Sequence, residues 1–209
     1  MNSVNTPATQ PATLPVAEKA LLRSMFRHRS RVIPADLAAT TSFKAANLVR
    51  TVLAGLGQGV IALYIPRRGE VDLTHLAEDL WQAGQTVCLP RVVLRGHPLV
   101  FNIWEPQTRL EPDALGLKAA TGDEITPTVI VMPMAGYNRQ GYRLGSGGGY
   151  YDHTLATLRQ PVTTIGVSYT ELEIPSFPAE PHDHTLSYII TGKEVIIPTL
   201  LAPEIVHTI

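Results

Sequence analysis

The stretch Thr128-Val129-Ile130-Val131-Met132 is nearly all apolar and shows no alternation of inward and outward residues. A strand of that kind must be covered on both faces. The rest of the chain supplies the cover. Residues 16 to about 29 carry Ala17, Leu21, Leu22, Met25 and Phe26 on one stripe at helical spacing, with Lys19, Arg23 and Arg27 recurring every four residues on another face. A second helix is expected from near Ser42, an N-cap type of residue, through Phe43, Leu48, Val49, Val52, Leu53 and Leu56 to a stop at Gly57. A strand over 59–64 precedes a helix capped by Asp72, with Leu73, Leu76, Leu80 and Trp81 as its apolar face and Gly84 as its end. Strands are also expected over 86–89, 99–104, 162–167, 187–190 and 195–197, a helix from 150 to about 159, and an irregular connection over 105–127. Strands separated by helices require crossovers. The expected fold class is therefore α/β, a single-domain open and mainly parallel sheet with helices on both faces in three layers.

At 209 residues the chain suits one domain better than two. Its 44% apolar content excludes wholesale disorder. Lys and Arg number 17 against 18 Asp and Glu, a net charge of -1, so no general field exists to draw nucleic acid or an anionic membrane. An anionic ligand must be held by a local cluster of donors. The single Cys88 excludes an internal disulfide and any multi-cysteine metal site, and reads as a small buried strand residue. Residues 1–17 have no charged side chain before Glu18 and interleave Pro7, Pro11 and Pro15 with threonines, without the apolar run of a signal peptide. They are expected to form a disordered tail on a folded domain over 18–209, in a cytoplasmic protein.

Chemistry concentrates in Gly141-Tyr142-Arg143-Leu144-Gly145-Ser146-Gly147-Gly148-Gly149-Tyr150-Tyr151-Asp152, with five glycines in its first nine positions. The run lies between a buried strand and a helix. Such a loop lets backbone N–H groups approach an anion, and the following helix N-terminus favours negative charge. Two common nucleotide motifs are absent: there is no Gly-x-x-x-x-Gly-Lys-Ser/Thr, and Tyr150 stands where Gly-x-Gly-x-x-Gly needs its last glycine. Asp152 falls in the first helical turn, placed either to complement the helix dipole or to contact Mg²⁺. Asp183 supplies a second carboxylate within Pro181-His182-Asp183-His184, a cluster that also reads as a histidine metal site or as solvated loop residues. Lys19 and Arg23 share a helical face. Glu70 reads as a loop carboxylate, and Tyr137, Tyr150 and Tyr151 as core aromatics or as flat surfaces for a heteroaromatic ring.

Together these residues resemble the 5-formyltetrahydrofolate cyclo-ligase family, also called methenyltetrahydrofolate synthetases. Its hallmark is an aromatic-Asp-x-x-Gly-x-Arg-Leu-Gly-x-Gly-x-Gly-aromatic-Tyr-Asp string, matched here from Tyr137 to Asp152. The resemblance runs from about 18 to 198 and takes in Lys19-x-x-x-Arg23, Glu70, Leu89-Pro90-Arg91-Val92 and His182-Asp183. It implies ATP- and Mg²⁺-dependent conversion of 5-formyltetrahydrofolate to 5,10-methenyltetrahydrofolate, with ADP and phosphate released. Carried over by position, Lys19, Arg23, Arg143, Leu144, Gly145, Ser146, Gly147, Gly148, Gly149, Tyr150 and Tyr151 would hold ATP, with Arg143 and Tyr151 serving catalysis. Ile65, Glu70 and the stretch Ser146, Gly147, Gly148, Gly149 and Tyr150 would contact the folate, and Asp152 and Asp183 the magnesium. Three departures stand out: Asn138 replaces an Asp, Ser146 a larger side chain, and His153 a frequent Arg.

Phosphoryl transfer asks a protein mainly for alignment and charge neutralisation, so no side-chain nucleophile is required. The Arg143 guanidinium is expected to face phosphate rather than core, so that Arg143→Ala spares the fold. The partner expected is a small folate, not nucleic acid or membrane, bound by a monomer. Two other classes fit parts of the sequence: a non-catalytic folate or nucleotide sensor, and a metal hydrolase built on His153, His182 and His184.

Overall fold

The computed structural model describes residues 16–175 and 183–198, with the backbone alone of 204–208. Helix α1 (Val16–Arg31) and helix α2 (Ala35–Leu56) lead into β1 (Val60–Ala62), α3 (Leu76–Gln82), β2 (Thr86–Arg91) and β3 (Val100–Ile103). A hairpin of β4 (Leu110–Pro112) and β5 (Lys118–Ala120) precedes β6 (Val129–Pro133). A second, β7 (Gly136–Tyr137) and β8 (Arg143–Leu144), leads to α4 (Tyr150–Thr157) and β9 (Thr163–Val167). After a single 3-10 turn (Thr170–Leu172) come β10 (Tyr188–Ile190), β11 (Glu194–Ile197) and β12 (Glu204–Thr208).

Eight strands form one sheet in the order β12-β11-β10-β9-β6-β1-β2-β3. The central run β10-β9-β6-β1-β2 is parallel, and the pairs β2–β3, β10–β11 and β11–β12 are antiparallel. The apolar run that opens β6 is buried throughout. Val129 and Val131 face one layer with Ile61, Ile165 and Val167, covered by Ala45, Val49 and Leu53 of α2 and Leu76 and Leu80 of α3. Ile130 and Met132 face the other with Ala62 and Cys88, against Tyr151 and Leu155 of α4. Helices thus cover both faces, as the alternation requires. Burial also pushes the Cys88 thiol up to about 12, which leaves it an apolar filler.

Several elements differ from expectation, each for a local reason. α2 starts at Ala35 rather than near Ser42, because Pro34 in an extended conformation (φ -57, ψ 144) starts the helix without a polar cap. Ser42 is an internal residue whose Oγ accepts the Asp72 N–H at 3.0 Å. Asp72 makes a local turn by accepting the Thr74 N–H at 2.8 Å, and α3 begins later, at Leu76. The expected irregular connection over 105–127 contains the β4–β5 hairpin, whose turn is organised by Asp113 Oδ1 accepting the N–H groups of Leu115 and Leu117. In α1, Leu22 and Phe26 pack inward, whereas Leu21 and Met25 are 61% and 55% exposed. The helix is turned so that its Lys19 face, rather than its whole apolar stripe, meets the domain.

The topology fixes where a ligand can sit. From β1 the chain crosses through α3 to β2, and from β6 through α4 to β9, in opposite directions along the sheet. β1 and β6 are nonetheless parallel neighbours. A crevice opens beyond their carboxyl ends, the usual ligand position in open α/β sheets.

Candidate active site

A cavity of about 680 Å³ fills that crevice. The segments after β1 and β6 form its floor, with Tyr64 and Ile65 from one and Met134 and Ala135 from the other. The glycine loop, Arg143, Tyr150, Tyr151 and Asp152 form one wall, and Glu70 lies on another. Arg143, Tyr150 and Tyr151, expected to meet ATP, therefore share one space with Ile65 and Glu70, expected to meet folate.

The loop needs its glycines for two separate reasons. Gly147 and Gly149 have φ of +104° and +65°, in the region that side-chain-bearing residues rarely adopt. Gly148 has ordinary backbone, but a Cβ there would lie 2.6 Å from the Tyr150 ring. Gly149 is also the residue from which α4 starts. The loop is thus threaded tightly onto the helix N-terminus, with its N–H groups unencumbered by side chains.

Helix α1 lies along this loop. Arg27 donates to the Ser146 carbonyl at 3.3 Å, and the Arg23 Cδ would sit 3.8 Å from a Cβ on Gly147. The Arg23 Nε is buried and makes no hydrogen bond among the described residues, so it is a donor placed beside the loop and still to be satisfied. Lys19 is 4% exposed, and its Nζ donates to Asp183 Oδ2 at 3.4 Å. Arg143 donates to the His184 carbonyl at 3.2 Å and pairs with the Asp152 carboxylate. Lys19, Asp183, Arg143 and Asp152 are linked in this way through the adjacent residues 183 and 184. The expectation that Arg143 faces only phosphate is corrected. It is 9% exposed and ties the start of α4 to the segment at 184, so it is a structural brace as well as a cavity-lining cation.

Other predicted positions fall as follows. Leu144 lies in a small apolar cluster with Ile174, Leu22, Phe26 and Tyr142, its carbonyl accepts the Ala135 N–H at 3.0 Å, and it does not line the cavity. Lys19 and Arg23 stand behind the loop rather than lining the cavity. Ile65 and Glu70 both line it. The Glu70 carboxyl is raised above its usual range by burial, although the Arg67 N–H, donating to Oε2 at 2.8 Å, partly opposes this. Burial also raises the Tyr151 hydroxyl, reinforced by the Glu70 carboxylate and opposed by Arg143, so this phenol stays protonated at neutral pH. Asn138 Oδ1 accepts the Tyr142 N–H at 3.0 Å, closing the β7–β8 turn. A carbonyl oxygen does there what a carboxylate could, so the departure from Asp costs no contact.

Arg27 is a further functional candidate, and its four-residue spacing with Lys19 and Arg23 is the sequence signal for it. Asp113 is another: its Oδ2 accepts the Val92 N–H at 3.1 Å and it lines the cavity. Nothing in its local sequence marked it.

Magnesium that carries phosphate needs only one or two protein carboxylates. Of the two carboxylates expected to meet magnesium, Asp152 lines the cavity and pairs with Arg143, whereas Asp183 lies outside the cavity lining and pairs with Lys19. The described residues contain no grouping of three or more His, Cys, Asp or Glu able to hold a metal. His153 is exposed against Gly149, and His182 lies outside the described residues.

The family model of the 5-formyltetrahydrofolate cyclo-ligases matches residues 15–192. The chain belongs to this family. A curated cyclo-ligase from Escherichia coli is 28% identical over 183 residues, covering 82% of this chain and 98% of that one. The cyclo-ligase of Mycolicibacterium smegmatis is 32% identical over 168 residues, covering 73% and 84%. The solution structure of Aquifex aeolicus 5,10-methenyltetrahydrofolate synthetase superposes with a TM-score of 0.73 at 25% identity, over 85% of this chain and 91% of that one. A Mycoplasma pneumoniae synthetase shares the fold, with a TM-score of 0.68 at 24% identity over 84% of this chain and 99% of its own. The single-domain sheet with helices on both faces is thus the cyclo-ligase fold.

Proposed function

We propose that this chain is a 5-formyltetrahydrofolate cyclo-ligase that converts its substrate to 5,10-methenyltetrahydrofolate, with ATP cleaved to ADP and phosphate. The observation that carries the reading is the cavity between β1 and β6, where the glycine loop with Arg143 and Asp152 faces Glu70. Two substrates must meet for a phosphoryl group to pass between them, and this arrangement provides one space with an anion-binding wall and a carboxylate wall. Lys19, Arg23, Arg143 and the loop Leu144, Gly145, Ser146, Gly147, Gly148, Gly149, Tyr150 and Tyr151 hold the nucleotide. Ile65, Glu70 and the Ser146–Tyr150 face hold the folate.

The formyl oxygen of the substrate attacks the γ-phosphorus, and ADP leaves. The neighbouring folate nitrogen then attacks the activated formyl carbon, losing its proton as the five-membered ring closes, and the carbon–oxygen bond breaks to release phosphate. An amide-type oxygen is a poor leaving group until it is phosphorylated, which is the reason for the nucleotide. Magnesium held by Asp152 and Asp183 would neutralise charge on the phosphoryl group. The loop N–H groups and the Arg143 fork align the same charge. Tyr151, kept protonated, donates a hydrogen bond to a substrate oxygen and does not act as a base. Water exclusion favours the transfer over hydrolysis, and the cavity floor of Tyr64, Ile65 and Met134 is suited to it.

Among the described residues no helix is long and apolar enough to cross a membrane. The reading takes the enzyme as a cytoplasmic monomer acting on free folate, with no nucleic-acid partner. The test is spectroscopic. Purified protein with 5-formyltetrahydrofolate and Mg-ATP should develop methenyl absorbance with matched ADP release. Tight binding of both ligands without turnover would instead show a sensor, and activity that survives EDTA without added magnesium would overturn the role of the carboxylates.

A further inference from the structure

Glu70 stands on a loop, and loops do not hold a carboxylate still unless something fixes their backbone. The turn closes on itself: the Glu70 N–H donates to the Arg67 carbonyl at 2.9 Å while Glu70 Oε2 accepts the Arg67 N–H at 2.8 Å. Gly69, at φ +90°, is pressed against the end of α1, where a Cβ would lie 2.6 Å from Ser30 Oγ. Two tyrosines from different strands complete the hold. Tyr64, just after β1, donates its hydroxyl to the Val71 carbonyl at 2.6 Å, and Tyr169, after β9, donates to the Glu70 carbonyl at 3.2 Å. Both rings are buried. Glu70 Oε1 makes no hydrogen bond among the described residues, so the turn uses one carboxylate oxygen and leaves the other for a ligand.

We propose that Tyr64 and Tyr169 are positioning residues for folate binding, acting through Glu70. The inference rests on the reading of Glu70 as a folate contact. Each hydroxyl anchors one of two successive main-chain carbonyls, so removing either lets the carboxylate depart from its binding position while the rings still fill the core. The glycine loop lies on another wall and is not touched by either hydroxyl. The effect should therefore fall on folate and spare ATP.

The test uses full-length Tyr64→Phe and Tyr169→Phe, each alone and combined with Glu70→Gln. Steady-state constants for both substrates are measured, with calorimetric dissociation constants for 5-formyltetrahydrofolate. Each Phe variant should raise the folate KM and Kd roughly three- to tenfold, the scale of one lost hydrogen bond, with the ATP KM held within about twofold and, for Tyr169→Phe, which does not line the cavity, kcat held likewise. Combined with Glu70→Gln, the same substitutions should add almost nothing to the folate Kd, because the group they position is already altered. Full additivity in that background, or an equal rise in the ATP KM, would overturn the inference. Should Tyr64→Phe fail to fold, Tyr169→Phe decides alone, since it holds a different carbonyl. Absence of turnover in the wild-type chain would sink the cyclo-ligase reading. An active wild type whose folate Kd ignores Glu70→Gln would overturn the inference and the Glu70 contact, leaving the activity standing.

Discussion

Replacing Arg143 with alanine should damage both the fold and the reaction, and the two losses are separable. The guanidinium is buried with Asp152, whose side chain is 26% exposed, and with the His184 carbonyl. Breaking a fully buried ion pair by removing one partner costs about 3–5 kcal/mol. Water reaches part of Asp152, so about 2 kcal/mol is the better scale for that term, and the orphaned His184 carbonyl adds about 1 kcal/mol. A loss near 3 kcal/mol in a chain of 209 residues lowers Tm by roughly 6–12 °C. Total stabilities run to about 5–15 kcal/mol, so the variant should still fold at 25 °C. Arg143→Lys keeps the charge but cannot reach both partners with one fork, so it should recover part of Tm and little of the turnover. Differential scanning calorimetry and the methenyl absorbance assay read the two quantities. A Tm within 1 °C of wild type for Arg143→Ala would refute the brace, and an unchanged rate would remove Arg143 from the chemistry.

Gly147→Ala and Gly148→Ala should fail differently: the first meets a backbone φ of +104° with only an ordinary contact to Arg23 Cδ, the second an ordinary backbone with the Tyr150 ring 2.6 Å away. Combining Gly148→Ala with Tyr150→Ala should relieve the clash and recover ATP affinity relative to Gly148→Ala alone, whereas Tyr150→Ala should do nothing for Gly147→Ala; ATP titrations check both. Glu70 is an acid raised above 4.5 by burial, so folding binds its proton more tightly and wild-type stability falls as pH rises from about 4.5 through the raised value. Glu70→Gln should therefore unfold at a higher temperature than wild type at pH 7, with the difference fading below about pH 4.5 in a thermal series. Asp183→Asn should raise the magnesium concentration needed for half-maximal rate, and an identical titration curve would exclude that carboxylate from the metal.

How far the sequence could be read follows from the length scale of each signal. The β6 strand declares itself because four successive apolar residues, Val129 to Met132, are buried from both sides, and α3 keeps most of its expected apolar face, with Leu76 and Leu80 in the core. The β7–β8 and β4–β5 hairpins were invisible, since strands of two or three residues are too short to show a period. The sequence reading gives no strand for β12, and its antiparallel pairing with β11 carries a register shift at Val195/Ile196. In the site, the glycine loop and Glu70 were legible by composition and resemblance. The partners of Arg143 were not, because His184 lies 41 residues away and contributes only a main-chain carbonyl that any residue could supply. Tyr169 escaped notice for the same reason, reaching a carbonyl 99 residues away.

The helix that brings cations to the glycine loop is anchored by little apolar contact among its described side chains. Of the described side chains in α1, the buried ones are Lys19 and Ser30, both polar, while Leu21 and Met25 point to solvent. Among the described residues its apolar docking is through Leu22 and Phe26, with Lys19 paired to Asp183 and Arg27 bonded to the Ser146 carbonyl. Segments with few buried apolar contacts open locally at a fraction of the global unfolding free energy. α1 should therefore exchange its amide hydrogens well before α2, which buries Ala45, Ala46, Leu48, Val49 and Leu53. An anion in the loop gives the unsatisfied Arg23 Nε a partner and adds charge opposite Lys19 and Arg27, so Mg-ATP should slow exchange in α1 and in 145–149 together. Protection of the loop with no change in α1 would show that the cations of this helix do not reach the nucleotide.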